Sequence, residues 1–509
     1  MNKKLSIVLI IWTAIAVISL AWALGIHTPG INGSSSQNVE RGSIPHSTVR
    51  INSDAEFSSS DAVISGTGTA GDPYIISGWE IDAHGEDAAI YIGNTSSYVL
   101  IKDCHVFNAT NSAGYARGSG IALYSSNHIL VENVTSEGNP NGIWISTYSS
   151  SINISNSMLV DNGIGISLHF RASHLEIFNN RIDGKFTGIR MDYGVNNITA
   201  EKNRIYNVTD YGIEMLGSLE RISNITLERN TIRWTGYGIY MLSENAYHRI
   251  IGNIISNSSN DGIYAKDNVH DNTIENNTIL YPENCGINVD NSDSSDKGFN
   301  RNVIANNDIA QTTSHGILIN GRFGGASHNR ISGNRINNSG ASGIYLYDAT
   351  DNRIDNNTLE YSREYGLRIY GYSDSNIIDG NIIIHTRFYA IYLLSSDGNE
   401  IYNNSFYYNN GTGDVYDPSN SQAYDSSGNN QWDHGGRGNY WHDLAGSYTD
   451  GDDDGILDGV SYPIAGGKGA ADNYPLANPG GDIPELHMII LLLALTAITI
   501  ISIMNKRIH

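Results

Sequence analysis

The dipeptide Gly-Ile, or a close variant, recurs along most of the chain. It stands in "NGIWIS" at Gly142, "IGISLH" at Gly165, "TGIRMD" at Gly188, "YGIEML" at Gly212 and "DGIYAK" at Gly262. With the degenerate ends "AAIYIG" at Ala89 and "YAIYLL" at Ala390 there are thirteen such units, most of them 22 to 24 residues apart. A second marker, Asn-x-apolar, follows each Gly-Ile by about 14 residues, as in Asn156-Ser-Met, Asn180-Arg-Ile, Asn203-Arg-Ile and Asn277-Thr-Ile. Between the markers apolar and polar residues alternate in runs of three to five. That is the period of a strand, and the runs are too short for a helix.

A unit of this length with two or three short strands cannot bury its own apolar face, but stacked coils cover one another. The arrangement that fits is a parallel β-helix, all-β, of about thirteen coils spaced roughly 4.8 Å apart. Stacked Asn side chains at a corner can hydrogen-bond from coil to coil, and Asn also tolerates the left-handed backbone of a sharp turn. Glycine ahead of the strand is expected to serve the same conformational need. A leucine-rich horseshoe has a similar period but needs a Leu-rich consensus that is missing.

Composition agrees with short strands and tight turns. Gly (54 residues) and Tyr (31) are abundant, and Pro (10) and Phe (9) are scarce. The net charge of −23 opposes a nucleic-acid partner or an anionic lipid surface. The two cysteines, Cys104 and Cys285, lie eight coils apart, too far for an intrachain disulfide.

Both ends are apolar. "MNKK" precedes an uncharged run from Leu5 to Leu24, with "AWA" at Ala21 to Ala23 fitting a cleavage site; signal peptide and signal anchor both remain open. Met488 to Met504 is uncharged and followed by "NKRIH", the pattern of a transmembrane helix with a basic stop. Basic flanks put both tails in the cytoplasm and everything between outside. "IPEL" at Ile483 to Leu486 also resembles an archaeal sorting tail, whose helix is removed.

Three stretches resemble the NosD-like branch of the right-handed parallel β-helix proteins, the CASH domains. They are "RINSDAEF" from Arg50 with "GTGTAGDPYIISGWEID" from Gly66, the repeat itself, and "NNQWDHGGRGNYWHDLAGSYTDGDDDGILDGVSYPI" with "DNYPL" ending at Leu476. The resemblance implies a right-handed solenoid with an N-terminal cap and a C-terminal module, on an archaeal-type surface protein. The expected organisation is 1–25 signal segment, 26–85 linker and cap, 86–413 β-helix, 414–478 C-terminal module, and 479–509 linker, membrane helix and basic tail. The family name comes from a factor that helps install copper. Copper wants clustered His, Met or Cys, and the module offers only His434 and His442, so copper is not carried over.

In the module, Asp450, Asp452, Asp454, Gly455, Ile456 and Asp458 match the first nine positions of an EF-hand-type calcium loop. Carboxylates fall at positions 1, 3 and 5, Gly at 6, a carbonyl (Ile456) at 7 and Asp458 at 9. Position 12 is Ser461 instead of Glu. Bound calcium and a solvated acidic turn are the two readings.

The residues flanking the inward Ile of each Gly-Ile strand stack into outward columns. Trp144, Tyr240, Tyr264, Tyr345, Tyr347 and Tyr370 make this face a candidate ligand-binding surface for sugars, since rings stack on pyranose faces while polar groups take hydroxyls. His169, Arg190, Asp192 and Glu214 fall on three consecutive coils of it and are candidate catalytic residues; charge pairing across the ladder explains them equally. Asn94, Asn133, Asn153, Asn197 and Asn356 head N-x-S/T sequons. The resulting expectation is a membrane-anchored extracellular protein at the cell surface, partnered by a polysaccharide or an envelope protein. A polysaccharide lyase or hydrolase and a copper-delivery accessory are the alternatives.

Overall fold

One coil defines the rest. Asn141–Ser146 forms the first face, Ser150–Ser155 the second and Met158–Val160 the third, and the chain then returns at Ile164–Leu168 to lie parallel to its starting strand. The register advances by one repeat each time: Ile143 faces Ile166, Ile152 faces Leu175 and Leu159 faces Ile182. The computed structural model describes residues 44–110, 116–291, 298–322, 325–411, 415–444 and 446–479. The chain divides into two units, Met1–Ile44 and Pro45–His509, and the second is described here. It is a right-handed parallel β-solenoid of about thirteen turns. Among the described residues the single helix is a 3-10 segment, Asp54–Ser59. No helix of the described residues is long and apolar enough to cross a membrane, and both apolar segments singled out in the sequence, Leu5–Leu24 and Met488–Met504, lie outside those residues.

The core is a set of aliphatic columns, one or two per face. Ile166, Ile189, Ile213 and Ile239 on the first face, with Ile182, Ile205 and Ile232 on the third, are fully buried. Each such side chain contributes roughly 1.5–3 kcal/mol relative to exposure, and only because the next coil covers it.

Glycine is required here for a different reason than the sequence suggests. Gly188 and Gly212 do not adopt left-handed backbone. A Cβ on Gly212 would instead sit 2.4 Å from Ile232 Cγ2 and 2.5 Å from the Gly238 carbonyl oxygen of the next coil. Close approach of successive coils, not turn conformation, is what favours glycine here, and alanine takes the position only in the end units, at Ala89 and Ala390.

The asparagine marker also resolves into two positions. Asn180 is buried; its backbone N–H and its Nδ2 both donate to Asn203 Oδ1 at 3.0 Å, and Nδ2 also donates to the Ile154 carbonyl at 2.9 Å. This pattern continues through Asn230, Asn253, Asn277 and Asn307. The left-handed corner is the residue before it: Asn179 (φ 53°), exposed. Asn156 is such a corner residue (φ 52°), and Ser157 takes the ladder position in that coil, accepting from the Val134 N–H at 3.1 Å.

A second ladder, at the corner between the first and second faces, was not read from the sequence. It starts at His248 and runs through Asn272, Asn302, Asn329, Asn352 and Asn376 to Asn399 and Asn430. Its signal is an Asn five residues before the first-ladder Asn in six successive coils, from Asn272 and Asn277 to Asn399 and Asn404.

Each ladder donates toward the C-terminus, so its last amide needs an acceptor. Carboxylates supply it. Asn439 donates its backbone N–H to Asp472 Oδ2 at 2.7 Å and Asn430 donates its Nδ2 to Asp425 Oδ1 at 3.0 Å, while a third, short ladder from Thr386 through Asn409 to Gln422 ends where Gln422 Nε2 donates to Asp443 Oδ1 at 2.7 Å. Pairing extends past both expected solenoid limits: Val49–Ile51 lies on Ala88–Thr95, and Ala423–Asp425 lies on Ile391–Leu394. Cys104 and Cys285 are separate, buried and free, their thiols pushed up by burial to about 11 and about 12.

Candidate functional site

The outward positions of the first face form the columns that the repeat arithmetic predicts. Trp144 faces Ser167, Ser167 faces Arg190, and Arg190 faces Glu214. Glu214 then faces Tyr240 and Tyr240 faces Tyr264. Further along, Tyr345 faces Arg368, Arg368 faces Tyr392, and Tyr347 faces Tyr370.

The four candidate catalytic residues come together as two pairs on neighbouring coils. Arg190 Nε lies 2.5 Å from Glu214 Oε2, and His169 Nδ1 lies 2.5 Å from Asp192 Oδ1. Glu214 and Asp192 are almost wholly buried. Asp192 faces Leu216, so the two carboxyls are diagonal neighbours, a relation that separates backbones by roughly 7–8 Å. Burial pushes the Glu214 carboxyl above its ordinary range; the Arg190 guanidinium opposes that shift and the Asp192 charge adds to it. A carboxyl biased toward its protonated form beside a carboxylate–imidazole pair has the makings of an acid and a base, and the same contacts also serve as a cross-coil charge ladder.

Aromatic rings wall this centre. Phe170 and Tyr193 stack at 4.7 Å and lie 6.1 and 6.0 Å from the His169 ring, with Trp144 at 6.4 Å on the other side. Trp144 does not form an exposed platform: it is 5% exposed, packed with Ala88, Ala116 and Ala122. Ala122 on the neighbouring coil, Ala88 one coil further and Ala116 leave a recess that the indole fills. Phe170 and Tyr193 escaped the sequence reading because both sit at a corner with positive φ, 44° and 50°, a position where aromatics are not anticipated.

On the C-terminal side of Glu214 tyrosines cluster in two groups on this face. Tyr211, Tyr237, Tyr240 and Tyr264 pack together, with Tyr240 and Tyr264 stacked at 5.2 Å. Tyr264 donates to Asp290 Oδ2 at 3.1 Å. Burial raises the Tyr240 phenol to about 12. A second group surrounds Arg368, whose guanidinium lies 4.7 Å from the Tyr345 ring and 5.6 Å from Tyr370. Tyr347 stacks on Tyr370 at 5.4 Å. Tyr240, Tyr264, Tyr345, Tyr347 and Tyr370 are all half-buried.

In the C-terminal module, Asp450, Asp452 and Asp454 bring carboxylate oxygens within 4.8 Å of one another. Among the described residues this is the one group of three or more with spacing suited to a metal ion. The loop is built by its own amides: Gly455 N–H donates to Asp450 Oδ2 at 2.9 Å and Ile456 N–H to Asp454 Oδ1 at 2.8 Å. Asp458 is not in the group; its Oδ2 accepts from Gly451 N–H at 2.7 Å. Ile456 bridges to Leu476 and Leu457 N–H donates to the Pro475 carbonyl, so the loop is tied to the segment that closes the first ladder. His434 and His442 have different neighbours: His434 lies against Glu400 and Tyr402, His442 against Tyr408. Of the sequon asparagines, Asn94, Asn133, Asn197 and Asn356 are exposed, while Asn153 is half-buried and donates to Glu176.

Similar solved structures include the periplasmic alginate epimerase AlgG in a point-mutant form, at 13% identity over 66% of this chain and 85% of that one, TM-score 0.43. The Dettilon tailspike protein aligns at 15% identity over 56% and 61% of the two chains, TM-score 0.43. The catalytic domain of a GH87 alpha-1,3-glucanase, in complex with nigerose, aligns at 15% identity over 61% and 60%, TM-score 0.40. No curated protein sequence matches significantly. The model of the right handed beta helix region matches residues 88–219, 187–324 and 270–431, together more than half of the chain, and the protein belongs to that family.

Proposed function

We propose that this is an extracellular glycan-binding protein whose first face takes a polysaccharide chain lengthwise. The observation that carries this reading is two groups of half-buried tyrosines, Tyr240 and Tyr264 on adjacent coils and Tyr345, Tyr347, Tyr370 and Tyr392 on three further adjacent coils, with Asn288, Asp290, Leu318 and Asn320 on the two coils between. Their spacing of one coil, roughly 4.8 Å, is comparable to the length of one pyranose unit, and their hydroxyls and neighbouring Asn and Asp groups suit sugar hydroxyls. The apolar tail Met488–Met504, followed by a basic end, supports attachment to the outer face of a membrane, in keeping with the NosD-like, archaeal surface type.

The aspartate loop belongs to the same proposal as a calcium site. Its donor set is three hard carboxylate oxygens held close together, the chemistry that calcium prefers, with Ile456 and Asp458 as further ligand candidates. The exposed sequons at Asn94, Asn133, Asn197 and Asn356 are accessible to glycosylation.

Catalysis is the second reading, favoured by one observation: Glu214, raised above its ordinary range, stands beside the His169–Asp192 pair. Incubating the protein with acidic and neutral polysaccharides separates the two. Binding without turnover supports the first reading. Turnover that disappears in Asp192→Ala or Glu214→Ala supports the second, and a protein that neither binds nor converts any of them refutes both.

A further inference from the structure

The corner between the third and first faces repeats a left-handed residue in coil after coil. In the early coils that residue is Asn108, Asp161 or Asn207, types that adopt positive φ readily. Four later coils place Trp234, Tyr281, Tyr361 and Tyr408 there instead, with φ between 54° and 56°. Bulky side chains are outliers in this region. Asn at the same corner would serve the fold without that strain, as Asn207, Asn257 and Asn338 do.

The rings are not there to be buried. Trp234 is 54% exposed and Tyr281 56%. A comparison within the molecule makes the same point. The corner between the second and third faces uses left-handed Asn179, Lys202, Arg229, Gly252, Asn276 and Asn306, and among the described residues no aromatic occupies it. Strained backbone held where the fold does not need it points to a surface function.

The neighbours of the two freest rings specify the ligand. Trp234 stands between Asn207 and Asn257, and Tyr281 between Asn257 and Gln311, all three amides exposed. Tyr361 and Tyr408, by contrast, have faces covered by His385, which stacks on them at 5.3 and 5.2 Å. Around Trp234 a groove of about 500 Å³ is lined by Asn207, Thr209, Thr235, Asn257 and Ser259, with no charged side chain. A ring with amides and hydroxyls on either side, and no charge, fits the apolar face and the hydroxyls of a neutral sugar.

We infer that the Trp234–Tyr281 corner is a second glycan site, selective for neutral hexose oligomers and separate from the first-face tyrosines. It stands on a different surface, and the two can fail independently.

The test uses the full chain in detergent with cellohexaose, mannohexaose and maltohexaose as probes, followed by calorimetry. The variants are Trp234→Asn with Tyr281→Asn, and Tyr240→Ala with Tyr264→Ala on the first face. The inference expects at least one hexaose to bind and the corner variant to weaken it about tenfold or more. It also expects the melting temperature of the corner variant to hold or rise, because Asn relieves the backbone. A wild type that binds none of the three overturns the inference, as does a corner variant that binds like wild type. A corner variant that melts lower overturns it too, since the rings then serve the fold. Loss confined to the first-face variant rejects the corner and leaves the tyrosine face standing.

Discussion

Replacing Asn277 with alanine should damage the solenoid far more than replacing its neighbour Asn276. Asn277 Oδ1 accepts from the Asn253 backbone N–H at 2.9 Å and from Asn253 Nδ2 at 3.0 Å. Its own Nδ2 donates to Asn307 Oδ1 at 3.0 Å and to the Ile250 carbonyl at 2.8 Å. All four bonds vanish in Asn277→Ala, and the buried Asn253 N–H is left without that partner. An orphaned buried donor costs about 1–3 kcal/mol and each of the other bonds about 1 kcal/mol, so the loss is roughly 4–6 kcal/mol. Asn276 is exposed with φ 56°; alanine there meets only the left-handed penalty of roughly 1–2 kcal/mol, and glycine almost none. Urea midpoints of Asn277→Ala, Asn276→Ala and Asn276→Gly give the ordering. Hydrogen exchange gives the location: coils contact only their neighbours, so protection should fall between Asn253 and Asn307 and persist around Ile152. If Asn277→Ala shifts the midpoint no more than Asn276→Ala, the ladder is an ornament of the corner and the argument is wrong.

Gly212→Ala should destabilise by about 1–3 kcal/mol through overpacking, because its Cβ meets Gly238 O and Ile232 Cγ2. Gly78→Ala, in open space at φ +79°, should show only the left-handed penalty, and thermal melts compare the two. Asp472 is fully buried and its carboxyl is raised from 3.8 to about 6, chiefly by burial. The unfolded chain therefore ionises first, and stability at the C-terminal end is highest below pH about 4. It falls by about 3 kcal/mol as pH climbs through that window and is level above it. Urea midpoints followed by Trp432 and Trp441 fluorescence should show this slope, and Asp472→Asn should flatten it. Calcium at one hundred times its Kd should stabilise that same end by about 2.7 kcal/mol. Asp452→Asn with Asp454→Asn should abolish the gain in a melt, and a melt indifferent to calcium in the wild type argues for a solvated turn.

How much of this was legible in the sequence depends on which contacts repeat. The first-face columns follow from counting, because a strand has period two and the coil has a nearly fixed length; Glu214 lands on Arg190 by arithmetic alone. The same counting brought Asn156 in as a ladder residue, since Asn-Ser-Met and Asn-Arg-Ile look alike, and only the pairing of Met158 with Arg181 puts Ser157 in the ladder. The second ladder was visible in principle as Asn pairs five residues apart, but a chain this rich in Asn hides it. Trp144 could not be placed as buried, because its cover includes Ala116, outside the strand repeat.

What stayed illegible is the sign of φ at the corners. A repeat fixes where a corner falls, and residue type ordinarily tells which corners are left-handed, through Gly, Asn and Asp. Trp234, Phe170 and Tyr193 break that association. Stacking overrides local preference there: each coil inherits its corner conformation from the coils on either side, whose hydrogen bonds fix the backbone whatever side chain it carries. A solenoid can therefore hold a strained aromatic at a corner, even on consecutive coils, as Phe170 and Tyr193 show. The backbone is set collectively and the side chain individually. The exposed corner positions are consequently where this fold is free to vary its surface chemistry, and the corners on either side of the first face are the ones that vary toward aromatics.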